Sequence, residues 1–195
     1  TKSTTWTPPF DGTAVIHCIG AGGSGGGDAS GGYPTGGGAG GYSRKVVTLS
    51  TGTNWTMVIG AGGAPVGGDS HGNAGGATTA TDGSSSLTAN GGARGTTSSK
   101  GAYNAGTSAG GSASGGDVNN TGGAGGTGAT ISGGGAVGVL GTGNAGGSAH
   151  PGSSNKLRGG DSDVLSPQFE NTNGELRGGG FGGTNQGTSQ RQLKG

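Results

Sequence analysis

The sequence has one cysteine, six prolines, two Trp, three Tyr and three Phe in 195 residues. A lone thiol, Cys18, excludes a disulfide framework and a cysteine-based zinc site. Large apolar side chains are scarce as well: Val, Ile, Leu and Phe together number 23. Burying one stabilises by about 1.5–3 kcal/mol, whereas ordering each residue costs about 1–2 kcal/mol. A conventional apolar core therefore cannot hold the whole chain. Charge is sparse, with ten Lys and Arg, nine Asp and Glu, and a net charge of +1. The cations are scattered from Lys2 to Lys194, which argues against a nucleic-acid partner. The apolar run Ala14-Val15-Ile16 stops at His17, far short of a membrane span, so no membrane insertion is expected. The opening TKSTTWTPPF lacks the apolar centre of a signal peptide, which predicts synthesis in a cytoplasm.

What the chain has is glycine, 57 residues of it. Each costs about 1 kcal/mol in a helix, and the longest glycine-free stretch, Asp161 to Asn173, contains Pro167. Almost no α-helix is expected. Strand signals concentrate in residues 1–63. Thr13–Ile19, Arg44–Leu49 and Trp55–Ile59 are β-branched runs, and the last two flank Ser50-Thr51-Gly52-Thr53-Asn54 as a hairpin would. Alternation puts Val47 with Leu49 on one face, and Trp55, Met57 and Ile59 on another. Residues 64–195 read as a second region, built on glycine.

Glycine recurs every third residue at Gly20/Gly23/Gly26, Gly37/Gly40, Gly122/Gly125/Gly128 and Gly179/Gly182. Each register breaks after six to nine residues, and prolines are few, so the chain is not collagen. A period of three fits a polyproline II-type helix, here of polyglycine II character. Its backbone groups have no partner within one rod and must bond between rods or to water. The expected architecture is a small N-terminal β region of three strands plus a packed bundle of short polyglycine II helices. Varied segments such as Thr78–Thr88, Thr96–Asn104, Asp117–Thr121 and His150–Lys156 would be the connecting loops.

Motifs for chemistry are weak. Gly20-Ala21-Gly22-Gly23-Ser24-Gly25 fits the dinucleotide-binding spacing after a strand. The helix that must receive the pyrophosphate cannot form from Gly26-Gly27-Asp28-Ala29-Ser30-Gly31, and no acidic residue follows at the needed distance. Asp69-Ser70-His71 has no partner cluster for a metal, and His17, His71 and His150 lie in no recognisable nucleophile motif. No enzyme activity, cofactor or metal is expected.

The block Trp6-Thr7-Pro8-Pro9-Phe10-Asp11-Gly12-Thr13, a strand, then Ile19-Gly20-Ala21-Gly22-Gly23 resembles the glycine-rich tail and tail-fibre proteins of tailed bacteriophages. So does Gly40-Gly41-Tyr42, a strand, Thr51-Gly52-Thr53, a strand, and Ile59-Gly60-Ala61-Gly62-Gly63. The remainder is similar in style to the polyglycine II sandwich adhesins of T-even-like phages, though without their long N-terminal attachment domain. The resemblance implies a non-enzymatic virion protein at a tail or tail fibre, alongside other tail-fibre proteins. Its loops would bind a host outer-surface receptor, protein or glycan. Tyr with Gly, Ser and Asn is the palette of adaptable binding loops. The candidate receptor-binding residues are Tyr33, Pro34, Tyr103, Asn104, Asp117, Asn119, Asn120, His150 and Asn155. If rods run up and down, alternate loops lie at opposite ends, and the sequence leaves open which end meets the host. The competing expectation is a self-assembling subunit, a trimeric fibre or an extracellular filament, because open stacks expose unpaired backbone.

Overall fold

The computed structural model describes residues 2–28, 31–97, 108–127, 130–131, 133–146 and 148–149. Among them there is no α-helix; the regular elements are ten strands, all paired antiparallel. They are β1 (Lys2–Trp6), β2 (Gly12–Ile19), β3 (Tyr42–Leu49), β4 (Trp55–Ile59), β5 (Thr78–Thr81), β6 (Ser86–Ala89), β7 (Ala113–Ser114), β8 (Val118–Asn120), β9 (Thr130–Ile131) and β10 (Ser148–Ala149). Sheet A has the order β1-β4-β5-β6-β7, sheet B the order β2-β3-β8, and β9 and β10 form a separate pair.

The two larger sheets face one another across a small core of Cys18, Val47, Leu49, Trp55, Ala80, Leu87 and Ala89, with Ala14, Ile16 and Met57 against its margin. Period-two alternation explains the membership. Val47 and Leu49 are buried while Val46 and Thr48 are exposed, and Trp55 is buried while Thr56 is exposed. Phe10 stays 58% exposed. The turn 50–54 does not close a hairpin, as the sequence suggests. β3 pairs with β2 and β8, β4 pairs with β1 and β5, and the turn carries the chain from one sheet to the other. Burial decides this: pairing β3 with β4 would put both apolar faces in one sheet with nothing opposite. Strand structure also extends past residue 63. The expected loop Thr78–Thr88 lies within the β5–β6 hairpin, which runs to Ala89 and is closed by the Asp82 carboxylate accepting the N–H groups of Ser84 (2.9 Å) and Ser85 (2.6 Å).

The glycine-rich segments continue the strands and bond to each other through the backbone. From segment 20–28, the N–H groups of Gly20, Gly23 and Gly26 donate to the carbonyls of Gly41, Gly38 and Thr35. Those of Ala21, Ser24 and Gly27 donate to Gly76, Asn73 and Ser70. In segment 34–41, Thr35, Gly38 and Gly41 donate to Thr96, Ala93 and Asn90, while Gly36 and Ala39 donate to Gly126 and Gly123. Gly92 and Gly95 donate to Ala21 and Ser24. Each set steps by three residues, so one segment addresses different neighbours with successive residues. Glycine is required where these backbones meet: a Cβ on Gly40 would stand 1.8 Å from the Gly20 oxygen, and one on Gly92 1.9 Å from that of Gly38.

This order fixes the two ends of the molecule. β2, β4, β6 and β8 lead into glycine-rich segments, and β3, β5 and β7 follow them. The connections 7–11, 50–54, 82–85 and 115–117 thus lie at the strand end. Asp28, residues 31–34 and residues 68–70 lie at the opposite, glycine end, as do Thr97 and Ser108.

Candidate functional site

The glycine end is built around a knot of hydroxyls. Thr35 is fully buried, and its Oγ1 lies 3.0 Å from Ser108 Oγ and 3.3 Å from Thr96 Oγ1. The same oxygen accepts the Thr96 N–H at 2.7 Å. Three segments distant in sequence are thereby tied at their tips, in a place where an apolar core is missing. Next to it, His71 is exposed and its Nδ1 accepts the Thr97 N–H at 3.0 Å, which leaves Nε2 to carry the proton of the neutral ring. Ser24 Oγ completes the lateral ties, donating to the Ala64 carbonyl (2.8 Å) and accepting the Asn73 N–H (2.8 Å).

Tyr33 and Pro34 belong to this end. Pro34 is fully buried and Tyr33 half-buried, immediately before Thr35. Tyr103, Asn104, His150 and Asn155 lie outside the described residues. The flanks of the first pair, Thr97 and Ser108, are at the glycine end.

Asp117, Asn119 and Asn120 are elsewhere. The turn carrying Asp117 is at the strand end, and all three polar side chains make internal bonds. Asp117 accepts the Val46 N–H at 2.9 Å, and its own N–H donates to Arg44. Asn119 accepts from the Ser43 hydroxyl (2.9 Å) and the Gly116 N–H (3.1 Å), and donates to Gly116 O (2.7 Å). Asn120 donates to Gly138 O at 2.7 Å, anchoring the 138–141 turn. These residues shape β8 and its neighbours.

Sequence reasoning missed Thr35, Thr96 and Ser108. A signal existed: Thr35 occupies a place in the three-residue phase that is glycine at 38 and 41.

Other reactive groups are held quiet. Cys18 is buried, and the loss of solvation pushes its thiol pKa up. Tyr42 is raised by desolvation, partly offset by Arg44, and its hydroxyl lies 2.7 Å from His17 Nδ1. The backbone of Gly20–Gly25, which fits the dinucleotide spacing, bonds to neighbouring segments instead of forming a phosphate cradle. Among the described residues no three or more His, Cys, Asp or Glu come together as metal ligands.

No curated protein matches the chain. The model of a family described as a glycine-rich domain matches residues 1–195, and the chain belongs to that family.

Proposed function

We propose that the chain is a non-enzymatic recognition protein that displays binding loops at its glycine end, as a tail-fibre or tail-tip adhesin of a bacteriophage would. In this reading the glycine-rich segments are polyglycine II rods. The three-residue step of their hydrogen bonds supports that assignment, because such a helix turns once in three residues. A rod bundle is a rigid support that spends few side chains on itself, which frees the connections to vary.

The observation that carries the reading is the convergence of alternate connections on one end, over the Thr35–Thr96–Ser108 knot. In this reading Tyr33 and His71 contribute to the receptor surface, together with Tyr103 and His150, which lie outside the described residues. In this reading Asp117 and Asn119 support the strand-end turn, and Asn120 supports the 138–141 turn.

The test is binding of the labelled full chain to a panel of bacterial cells. Tyr33→Ala with Tyr103→Ala should lower binding at least ten-fold without changing the melting temperature. Asp82→Ala, at the strand end, should leave binding intact. Equal loss from both, or binding unaffected by the tyrosines, contradicts the reading.

A further inference from the structure

Backbone acceptors give way to side chains at the tip of segment 91–97. Gly92 and Gly95 donate to the carbonyls of Ala21 and Ser24, and Ala93 donates to that of Ala109. The N–H groups of the last two described residues go elsewhere. That of Thr96 donates to Thr35 Oγ1 at 2.7 Å, and that of Thr97 to His71 Nδ1 at 3.0 Å. Bonds on either side of His71 hold it in reach. The Ser70 carbonyl accepts the Gly27 N–H, and the Gly72 N–H donates to Gly95 O, both at 2.8 Å. The ring thus ties the 70–72 tip to the end of 91–97, beside the buried Thr35.

The two side-chain acceptors differ in one respect. A threonine hydroxyl accepts whatever the pH, whereas an imidazole accepts only while neutral; with both nitrogens protonated it is a donor alone. We propose that His71 is a pH-sensitive fastener of the glycine end, closed while its ring is neutral and released when Nδ1 takes up a proton. That proton lies on the line of the Thr97 N–H, donor against donor, and the exposed ring turns out into water. The Thr97 amide loses its acceptor, and the tip opens locally while the Thr35 bond to Thr96 and the sheets stay closed.

His17 shows the contrast. Its Nδ1 lies 2.7 Å from the Tyr42 hydroxyl, which donates to a neutral ring and, turned round, accepts from a protonated one, so that contact survives the proton. Among the described residues, the titratable and charged groups on the segments packed around His71 are Asp28 at the end of 20–28, Asp69 on its own tip, Tyr33 before Thr35 and Arg94 on 91–97. Segments 60–67 and 108–111 contribute none. Carboxylic acids ordinarily titrate near about pH 4, phenols near about 10 and guanidinium above about 12, whereas imidazole does so between about pH 5 and 8. Acid in that window therefore acts through the ring. The bond is whole above the ring's titration and is lost as pH falls through it. An effect on adsorption rests on the proposed recognition, whereas the fastener does not, and its test needs no receptor.

Residue-resolved amide exchange of the full chain at about pH 7.5 and about pH 5, either side of the imidazole range, tests it once each rate is corrected for its intrinsic value. Protection of the Thr97 amide should fall at least ten-fold at the lower pH, with Gly23 and Gly38, deeper in the same bundle, changed less than two-fold. His71→Ala should leave Thr97 poorly protected at both pH values. Equal protection of Thr97 at both in the unaltered chain, or a pH-dependent fall that persists in a folded His71→Ala variant, would overturn the proposal. Should that variant misfold, the ring nitrogen shifts of the unaltered chain decide. They should show Nε2 protonated and Nδ1 bare at the higher pH, with the ring titrating where Thr97 loses protection. A proton on Nδ1 at the higher pH, or a titration that does not coincide with that loss, refutes the fastener.

Discussion

At the scale of the residue, the glycines fall into two physical kinds. Gly40 has a neighbouring carbonyl where a Cβ would go, so Gly40→Ala must move backbone, whereas Gly62 has nothing within 4 Å. Gly40→Ala should destabilise by several kcal/mol or prevent folding, as overpacking and broken backbone bonds combine. Gly62→Ala should be neutral or stabilising by about 0.4–1 kcal/mol. Thermal melts of the two variants compare them directly. Thr35 acts through its hydroxyl, so Thr35→Val keeps the shape and strands its partners. A loss of about 1–3 kcal/mol is expected, whereas an unchanged melt would deny the knot a structural role. Cys18 gives a pH dependence. Its folded pKa is raised above the ordinary thiol value of 9.0, so the stability it contributes is complete below that pH. It declines as pH rises through the folded value. Cys18→Ala should show a shallower alkaline loss of stability than the unaltered chain, measured by urea unfolding on either side of pH 9.0.

At the scale of the element, legibility followed periodicity. β2, β3 and β4 carry β-branched alternation and were readable within a residue or two. The three-residue glycine spacing was readable too, and it recurs as the step of the hydrogen bonds at Gly20, Gly23 and Gly26. β1 (Lys2–Trp6) was not readable, because Lys-Ser-Thr-Thr-Trp has no apolar face of its own and is a strand by virtue of pairing with β4. β5 and β6 carry little strand signal, because Thr78–Thr81 and Ser86–Ala89 are short and small; only Ala80, Leu87 and Ala89 reach the core. Of the proposed site residues, Tyr33 and Pro34 fall at the glycine end, whereas Asp117, Asn119 and Asn120 are hydrogen-bonded within the fold, which spacing in the sequence does not reveal. The Asp82 turn offers a check at this scale. Removing its two backbone bonds by Asp82→Ala should cost about 1–2 kcal/mol, read in the same melts.

For the whole molecule, stability is divided between a small apolar sandwich and a lattice of backbone bonds. A net charge near zero and few large side chains leave the chain little else. Alternation of direction then puts the strand connections at one end and the glycine-segment tips at the other, and the proposed recognition surface is at the latter. The central claim is that the glycine-rich segments are ordered by bonds between them. Residue-resolved amide hydrogen exchange of the full chain tests it most directly. The account predicts slow exchange at Gly20, Gly23 and Gly26, and at Thr35, Gly38 and Gly41, comparable to the β2–β3 ladder. Complete exchange at these six amides within the dead time, with the strands still protected, would contradict it.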